Sequence, residues 1–199
     1  GFLTYEAGRA FGIDAHDTDD RWPLAWFALF DTANLRRVAS PGPFGQYDVG
    51  PLRPSIGEST FRKAFARIHD HLTAGDTYQV NYTFRIRGAF SGDPRALFRD
   101  LVSAQRCRYG AFLRFGHRAI CCASPELFFA RKGADVTVRP MKGTAPRGRT
   151  LEEDEAERNA LLSSPKQRAE NVMVVDMMRN DLGRIAESGS VDVPELFVA

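Results

Sequence analysis

The chain has 199 residues, of which 43% are hydrophobic and 26% charged, the ordinary composition of a globular protein with a sizeable core. Its 27 basic and 25 acidic side chains give a formal net charge of +2 and are spread along the sequence, so no basic patch indicates nucleic-acid binding. No apolar run approaches the roughly 20 residues that span a bilayer. These features argue against disordered, fibrous, nucleic-acid-binding and membrane-spanning classes, and they indicate no particular function.

The first 50 residues contain a strand-like segment at residues 1–5 and an apolar patch at residues 22–30. A loop of proline and glycine follows at residues 41–43, and such turn-forming residues indicate a connection between two subdomains. We therefore predict part of an N-terminal subdomain at residues 1–50 and the first part of a second domain at residues 51–199.

An amphipathic helix and a strand come next. The spacing of i, i+4, i+7 and i+11 that marks one face of a helix is shared by Phe61, Phe65, Ile68 and Leu72. Gly75 is placed to end this helix. Residues 78–87 then alternate strictly between apolar and polar side chains, which predicts a half-buried strand.

The middle of the chain predicts a second helix at residues 94–104 and strands at residues 109–115 and 117–123. Residues 127–131 and 135–139 flank a turn and predict a β-hairpin. Neighbouring strands therefore alternate with helices along the sequence.

Three cysteines, Cys107, Cys121 and Cys122, are too few and wrongly spaced for a zinc cluster. Two of them are adjacent, and adjacent residues of a strand point to opposite faces. We therefore expect buried free thiols, which suit the reducing cytosol and predict a cytoplasmic location.

A long helix is predicted from Pro165 to about residue 186. Ser164 can cap it, proline suits its first position, and Gln167 completes a capping box. Its buried stripe is predicted to consist of Val172, Val175, Leu182 and Ile185. Residues 190–198 are strand-like and run into the terminus without a polar tail, so we expect a chain that is incomplete at its C-terminus.

Glu126 and Lys142 lie on either side of the predicted hairpin turn. Opposed residues of an antiparallel pair have a constant index sum, so a turn midpoint of 134 sets Glu126 across from Lys142, with β-carbons roughly 5 Å apart. A midpoint of 133.5 sets Glu126 across from Met141 instead, and the turn sequence leaves both registers open.

An amine facing a carboxylate has two interpretations. One is a plain cross-strand ion pair, worth a few tenths of a kcal/mol. The other is a reactive pair, which Gly143 favours because it lets a small ligand approach the backbone. Arg139 and Arg147 would attract carboxylates and favour a neutral amine, and the apolar segment 127–129 would favour a protonated acid.

Acidic and imidazole side chains give weaker signals. Glu170 and Asp181 return to nearly the same face of the long helix, yet Mg²⁺ uses only one or two protein carboxylates and leaves no spacing pattern. The four histidines, at positions 16, 69, 71 and 117, form no spaced cluster. Spacing alone therefore predicts no metal centre.

Four blocks of sequence, at residues 75–81, 124–128, 140–148 and 168–184, occur in an order that resembles the chorismate-utilising enzymes. This family includes anthranilate, isochorismate, salicylate and aminodeoxychorismate synthases. The resemblance covers essentially the whole chain. It implies an α+β fold of layered, mostly antiparallel β-sheets with helices on the outside.

The resemblance also implies an activity. The residue before the Gly-Thr pair is alanine in anthranilate synthases and a nucleophilic lysine in the aminating members, and here it is Lys142. By resemblance, Lys142 attacks C2 of chorismate, Glu126 is the general acid, and Gly143 and Thr144 contact the substrate. Glu170 resembles a carboxylate that holds Mg²⁺.

The product implied is 4-amino-4-deoxychorismate, on the route to 4-aminobenzoate and folate, with ammonia supplied by a glutamine amidotransferase partner. Gln167 departs from the pattern, because anthranilate synthases resemble each other in having a glutamate there. Two alternatives stay open: an anthranilate synthase component I, and a non-catalytic homologue that binds chorismate or the amidotransferase. We expect the isolated chain to be inactive.

Overall fold

The computed structural model describes residues 1–15, 22–36 and 44–198. Within them, the helices are Glu58–Ala74 (α1), Pro94–Gln105 (α2), Leu151–Ser163 (α3) and Pro165–Gly183 (α4), with 3₁₀ helices at Tyr5–Phe11 and Thr32–Asn34. The strands are Phe2–Leu3 (β1), Ala25–Trp26 (β2), Tyr47–Val49 (β3), Arg53–Pro54 (β4), Ile86–Arg87 (β5), Phe90–Gly92 (β6), Tyr109–Phe115 (β7), Arg118–Ser124 (β8), Leu127–Lys132 (β9) and Asp135–Arg139 (β10).

The strands form small sheets of two. Antiparallel pairs join β1 to β2, β3 to β6, β4 to β5 and β9 to β10. Strands β7 and β8 form a further pair. Helices accompany these antiparallel pairs, as an α+β fold requires. None of the described helices is long and apolar enough to cross a membrane.

The chain divides into two compact units. The first consists of Gly1–Arg99 and Phe112–Cys121, and the second of Asp100–Ala111 and Cys122–Ala199. The predicted loop at residues 41–43 lies outside the described residues. A domain boundary near residue 50 therefore stays a prediction.

Four aromatic side chains form a cluster in the first unit. The rings of Phe2, Trp22, Trp26 and Phe115 lie 5.2–6.2 Å apart between centroids, in edge-on, tilted and stacked contacts. Such pairs contribute beyond the area that they bury. The strand-like start of the chain thus becomes β1, one side of this cluster.

The predicted helices of the first unit are confirmed. Gly75 follows α1 with φ at +80°, and the Asp76 N–H donates to the carbonyl of His71, as in a glycine-capped helix end. The expected burial of the α1 stripe is wrong for Phe61, Phe65 and Leu72, which are exposed. Phe61 contacts the rings of Tyr82 and Phe84 without being enclosed by them.

The strand predicted at residues 78–87 is wrong over most of its length. Only Ile86–Arg87 forms a strand, paired with the two-residue β4. One more link follows, from the Ser55 N–H to the Arg85 carbonyl at 2.7 Å. A strand persists only where a neighbour satisfies its backbone, and in the described chain residues 78–84 belong to no ladder. Alternation alone therefore overstated this element.

The second unit contains the β9–β10 hairpin, α3 and α4. The predicted Ser164 cap of α4 is confirmed, since its hydroxyl accepts from the Gln167 N–H at 3.4 Å, but the capping box is wrong, because Gln167 Oε1 has no hydrogen-bond partner within the described chain. Its predicted stripe is partly wrong, because Val174 is buried while Val172 is 46% exposed. Ile185 lies beyond the helix end at Gly183 and is also exposed. The strand-like segment at residues 190–198 forms no strand within its described part.

Candidate active site

The register of the β9–β10 hairpin determines which residue lies opposite Glu126. Asp135 pairs with Lys132, which sets the turn midpoint at 133.5, and the register then shifts between Thr137 and Arg139. The register with a midpoint of 134 is therefore wrong. A β-bulge places an extra residue in one strand, and no alternation of side chains in the sequence reveals it.

The carboxylate of Glu126 nevertheless reaches the segment that carries the lysine. Its Oε1 accepts a hydrogen bond from the Met141 backbone N–H at 3.1 Å, so the side chain crosses to the residue before Lys142. Ser124 supports this turn, because its hydroxyl accepts from the Glu126 N–H at 3.2 Å and donates to the Glu126 carbonyl at 2.9 Å. The carboxylate of Glu126 is thus hydrogen-bonded to the residue that precedes Lys142.

Lys142 is half-buried in the loop that follows β10. Among the described residues it forms no ion pair, so the plain cross-strand pair with Glu126 is not formed. The apolar surroundings expected for the acid are also wrong in part. Phe128 is 81% exposed and contacts Phe129 edge-on at 5.2 Å, because a sheet of two strands leaves its faces uncovered.

Gly143 is held in a conformation that other residues rarely adopt. Its φ is +82°, and a Cβ added there would lie 2.7 Å from Gln167 Oε1 and 3.2 Å from Leu161 Cδ1. The backbone of the loop that carries Lys142 therefore lies directly against the first turn of α4. Thr144 follows as an exposed residue.

Two buried oxygen atoms on α4 lack hydrogen-bond partners, namely Gln167 Oε1 and Asn171 Oδ1. Such atoms are costly unless a ligand, ion or water satisfies them. Glu170 shares their helix face, since positions i, i+3 and i+4 are neighbours. Lys166 lies 3.9 Å from the Glu170 carboxylate, an exposed pair of small energetic value.

The expected role of Arg147 as a free positive charge is wrong. Its guanidinium Nε and Nη2 donate to both oxygens of Asp154, and the Gly148 N–H donates to Asp154 Oδ1 at 3.0 Å. The Arg147 hydrogen bond holds the pKa of the Asp154 carboxyl below its usual range, and the Gly148 N–H adds to this effect. Arg139 is exposed.

Helix α3 and its contacts are what the sequence analysis missed. A capping box could have revealed this helix, because the Thr150 hydroxyl accepts from the Glu153 N–H while Glu153 accepts from the Thr150 N–H. Asp154 follows in the next position and accepts a hydrogen bond from the Gly148 N–H of the preceding loop. The threonine and the glutamate three residues later were the available signal.

Metal-ligating clusters are absent from the described part of the chain, in which no group of three or more His, Cys, Asp or Glu side chains could hold an ion. His16 lies outside the described residues. Asp181 is exposed on α4. The three cysteines are free and half-buried, and burial raises the pKa of the Cys121 thiol.

The loop that carries Lys142 is thus contacted by Glu126 on one side and by Gln167 of α4 on the other. The family described as chorismate binding enzyme matches residues 1–199, and the chain belongs to this family. The resemblance drawn from four blocks of sequence is thereby confirmed.

The most similar relatives fall into two groups, named aminodeoxychorismate synthase component 1 and anthranilate synthase component 1. The aminodeoxychorismate synthase component 1 of Klebsiella aerogenes is 44% identical over 146 residues, covering 73% of this chain and 32% of the relative. The anthranilate synthase component 1 of Synechocystis sp. is 42% identical over 146 residues, covering 71% and 29%. The chain therefore spans about a third of the length of these relatives.

A solved structure of similar fold is the anthranilate synthase component I from Streptococcus pneumoniae TIGR4. It superimposes with a TM-score of 0.65 at 32% identity, over 74% of this chain and 32% of that chain. The expected α+β fold of this family is confirmed. Overall identity hardly separates the two activities named among the relatives, so individual residues must do so.

Proposed function

We propose that the protein containing this chain replaces the C4 hydroxyl of chorismate with an amine, giving 4-amino-4-deoxychorismate for 4-aminobenzoate and folate synthesis. The hydrogen bond from the Met141 N–H to Glu126 Oε1 carries the proposal, because it brings an acid beside the residue that bears the amine. The relative from Klebsiella aerogenes bears the matching name.

Two displacements make up the reaction. The neutral Nζ of Lys142 forms a bond to C2 while the ring double bonds shift and the C4–O bond breaks. Glu126 protonates the departing hydroxyl, which leaves as water. The difficult exchange of hydroxyl for amine is thus divided between two easier steps.

Ammonia then forms a bond to C4, the double bonds shift back, and the C2–Nζ bond breaks to release lysine as a neutral amine. The new C4 ammonium gives up a proton, which restores the acid form of Glu126. The balance is chorismate and ammonia to aminated product and water. We assign the supply of ammonia to a glutamine amidotransferase partner.

Gly143 and Thr144 are proposed to contact the substrate through the backbone turn that follows Lys142. Because Gly143 has no side chain and a positive φ, the backbone turns tightly here and packs against Gln167 and Leu161. The neighbouring α4 supplies oxygen ligands of the kind that Mg²⁺ prefers. We propose that Glu170 binds the ion, with the unpartnered Gln167 Oε1 and Asn171 Oδ1 on the same face.

Mg²⁺ bound there would supply positive charge for the carboxylates of chorismate. The protein's own side chains perform the proton transfer and the covalent steps. We place the reaction in the cytoplasm, which the free thiols of Cys107, Cys121 and Cys122 support. We further propose that residues 51–199 form the first part of the catalytic domain.

Product analysis tests the proposal. The full-length protein is supplied with chorismate, Mg²⁺ and ammonia, and we expect 4-amino-4-deoxychorismate by mass spectrometry. Lys142→Ala abolishes this product or diverts turnover to anthranilate, whereas Lys132→Ala, an exposed lysine of the hairpin turn, leaves it unchanged. Anthranilate from the unmutated protein would overturn the assignment in favour of the anthranilate synthase alternative.

A further inference from the structure

The segment that carries Lys142 has no regular secondary structure. Residues 140–150, called the lysine loop below, run from the end of β10 to the start of α3 outside any helix or ladder. Such a segment keeps a fixed geometry only where particular contacts hold it. A nucleophile on it is therefore only as well placed as those contacts.

The first half of the lysine loop is held on two sides. Glu126 accepts the Met141 N–H, and Gly143 packs against Gln167 and Leu161. These contacts involve residues of the candidate site itself. They cannot be changed without changing the chemistry.

The second half is held by two carboxylates of α3 outside the site, Asp154 and Glu153. Asp154 accepts two hydrogen bonds from the Arg147 guanidinium and one from the Gly148 N–H. A bidentate arginine pair fixes orientation as well as distance. Asp154 is thus fastened to both a side chain and the backbone of the loop.

Steric contact makes this attachment tight. A Cβ added to Gly148 would overlap the backbone nitrogen of Asp154, so the loop backbone lies directly on the first turn of α3. Glu153 takes the next two amides, accepting from the Arg149 N–H at 2.7 Å and the Thr150 N–H at 3.3 Å. The loop therefore enters α3 along a single path.

The two partners of the ion pair differ in how far they are buried. The side chain of Asp154 is 25% exposed, whereas that of Arg147 is largely in solvent. Asp154 also lies in the first turn of α3, where backbone N–H groups favour a negative charge. The carboxylate is therefore the fixed point, and the loop is attached to it.

We propose that Asp154 is a positioning residue for Lys142, which it serves through Arg147 and Gly148 without touching substrate. This inference rests on the proposed function, since it assumes that Lys142 is the nucleophile. Loss of the attachment releases Arg147 and Gly148 from α3, while Glu153 still holds the amides of Arg149 and Thr150. The lysine then departs from its reactive geometry while the binding groups remain.

The test compares Asp154→Asn with Glu152→Gln in the full-length protein. Both remove one charge from the first turn of α3, but Glu152 is exposed and makes no hydrogen bond or ion pair within the described chain. We expect Asp154→Asn to lower kcat on the order of tenfold to a hundredfold, since misplacement by about 1 Å can cost that much. KM for chorismate changes less than about twofold, and Glu152→Gln changes neither.

Arg147→Ala should reproduce the loss, and the double variant with Asp154→Asn should lose little more than either single variant, because both break one contact. Amide hydrogen exchange across residues 140–150 gives a readout that needs no turnover. We expect faster exchange in Asp154→Asn and unchanged exchange in Glu152→Gln.

Equal kcat and equal exchange in the two variants would overturn the proposal, and so would a rise in KM with unchanged kcat. If the unmutated protein fails to aminate chorismate, the proposed function is wrong. Exchange then still decides the attachment: acceleration confined to Asp154→Asn supports it, and its absence overturns it.

Discussion

Glu126 reaches across the hairpin to accept the backbone N–H of Met141 at 3.1 Å. This contact replaces the direct pairing of Glu126 with Lys142 that one of the two registers had predicted. The other oxygen of this carboxylate makes no hydrogen bond within the described part of the chain. The contact therefore positions an acid and leaves the amine free of an ion pair.

Replacing the acid while keeping its hydrogen bond tests its chemical role. Glu126→Gln retains an oxygen acceptor for the Met141 N–H but cannot protonate a leaving hydroxyl. We expect turnover of chorismate to fall about 10²- to 10⁴-fold, the usual contribution of a general acid, in steady-state kinetics. Asp135→Asn, an exposed acid of the same hairpin, serves as the control. Wild-type turnover in Glu126→Gln would contradict the role of general acid.

Alanine substitutions at Gly133 and Gly143 distinguish the cost of backbone strain from the cost of steric crowding. Gly133→Ala places a side chain at φ +63° with no atom within 4 Å and should cost about 1–2 kcal/mol of unfolding free energy. Gly143→Ala adds a clash with Gln167 and should cost roughly 1–3 kcal/mol more in urea unfolding.

Combining Gly143→Ala with Gln167→Ala should recover the crowding part of that loss, because the nearest atom is a side chain. Equal losses of unfolding free energy in the Gly143 and Gly133 variants would show that the added methyl group at position 143 meets no crowding from Gln167. The close approach of the lysine loop to α4 would then be wrong.

The pH dependence of stability has a defined sign at Asp93. Its carboxylate accepts hydrogen bonds from the Arg95 side chain, the Arg95 N–H and the Gly45 N–H, and the first of these contributes most to holding its pKa below the usual range. A carboxyl with a lowered folded-state pKa stabilises the fold above its unfolded value, about 3.9, and loses this contribution as the pH falls below it.

Urea unfolding of wild type and Asp93→Asn between pH 7 and pH 3 measures this effect. The difference between the two proteins should be largest at neutral pH and should shrink toward pH 3. Asp48→Asn, an exposed acid of β3, should follow wild type throughout. A difference that is constant with pH would assign the role of Asp93 to packing instead of charge.

Local signals predicted the elements whose partners are close in sequence. The cap at Ser164, the glycine after α1 and the hairpin turn near Gly133 each depend on contacts within a few residues, and all three are present. The strand at residues 78–87 failed because a strand depends on a distant neighbour. Side-chain alternation carries no information about that neighbour.

In the candidate site, too, contacts between residues close in sequence could be predicted and contacts with unpredicted elements could not. The hairpin predicted that Glu126 faces either Lys142 or Met141, and the hydrogen bond to Met141 agrees with the second, but the bulge before Arg139 could not be predicted. Arg147 was assigned to ligand attraction because its partner Asp154 lies on a helix that was not predicted. An ion pair with a residue of an unpredicted helix neutralises a charge that the sequence alone presents as free.

Glu170 provides a test of the metal site that does not depend on turnover. Glu170→Gln removes the carboxylate next to the unpartnered oxygens of Gln167 and Asn171, and we expect the Mg²⁺ dissociation constant to rise about tenfold or more, which corresponds to about 1.4 kcal/mol. Isothermal titration of the full-length protein with MgCl₂ measures it. Lys166→Gln is the matched control, because it removes the ammonium 3.9 Å from the same carboxylate and should leave Mg²⁺ binding unchanged or tighter. Equal affinities in wild type and Glu170→Gln would remove this residue from the metal site, while Gln167→Leu would show whether the amide oxygens bind the ion without it.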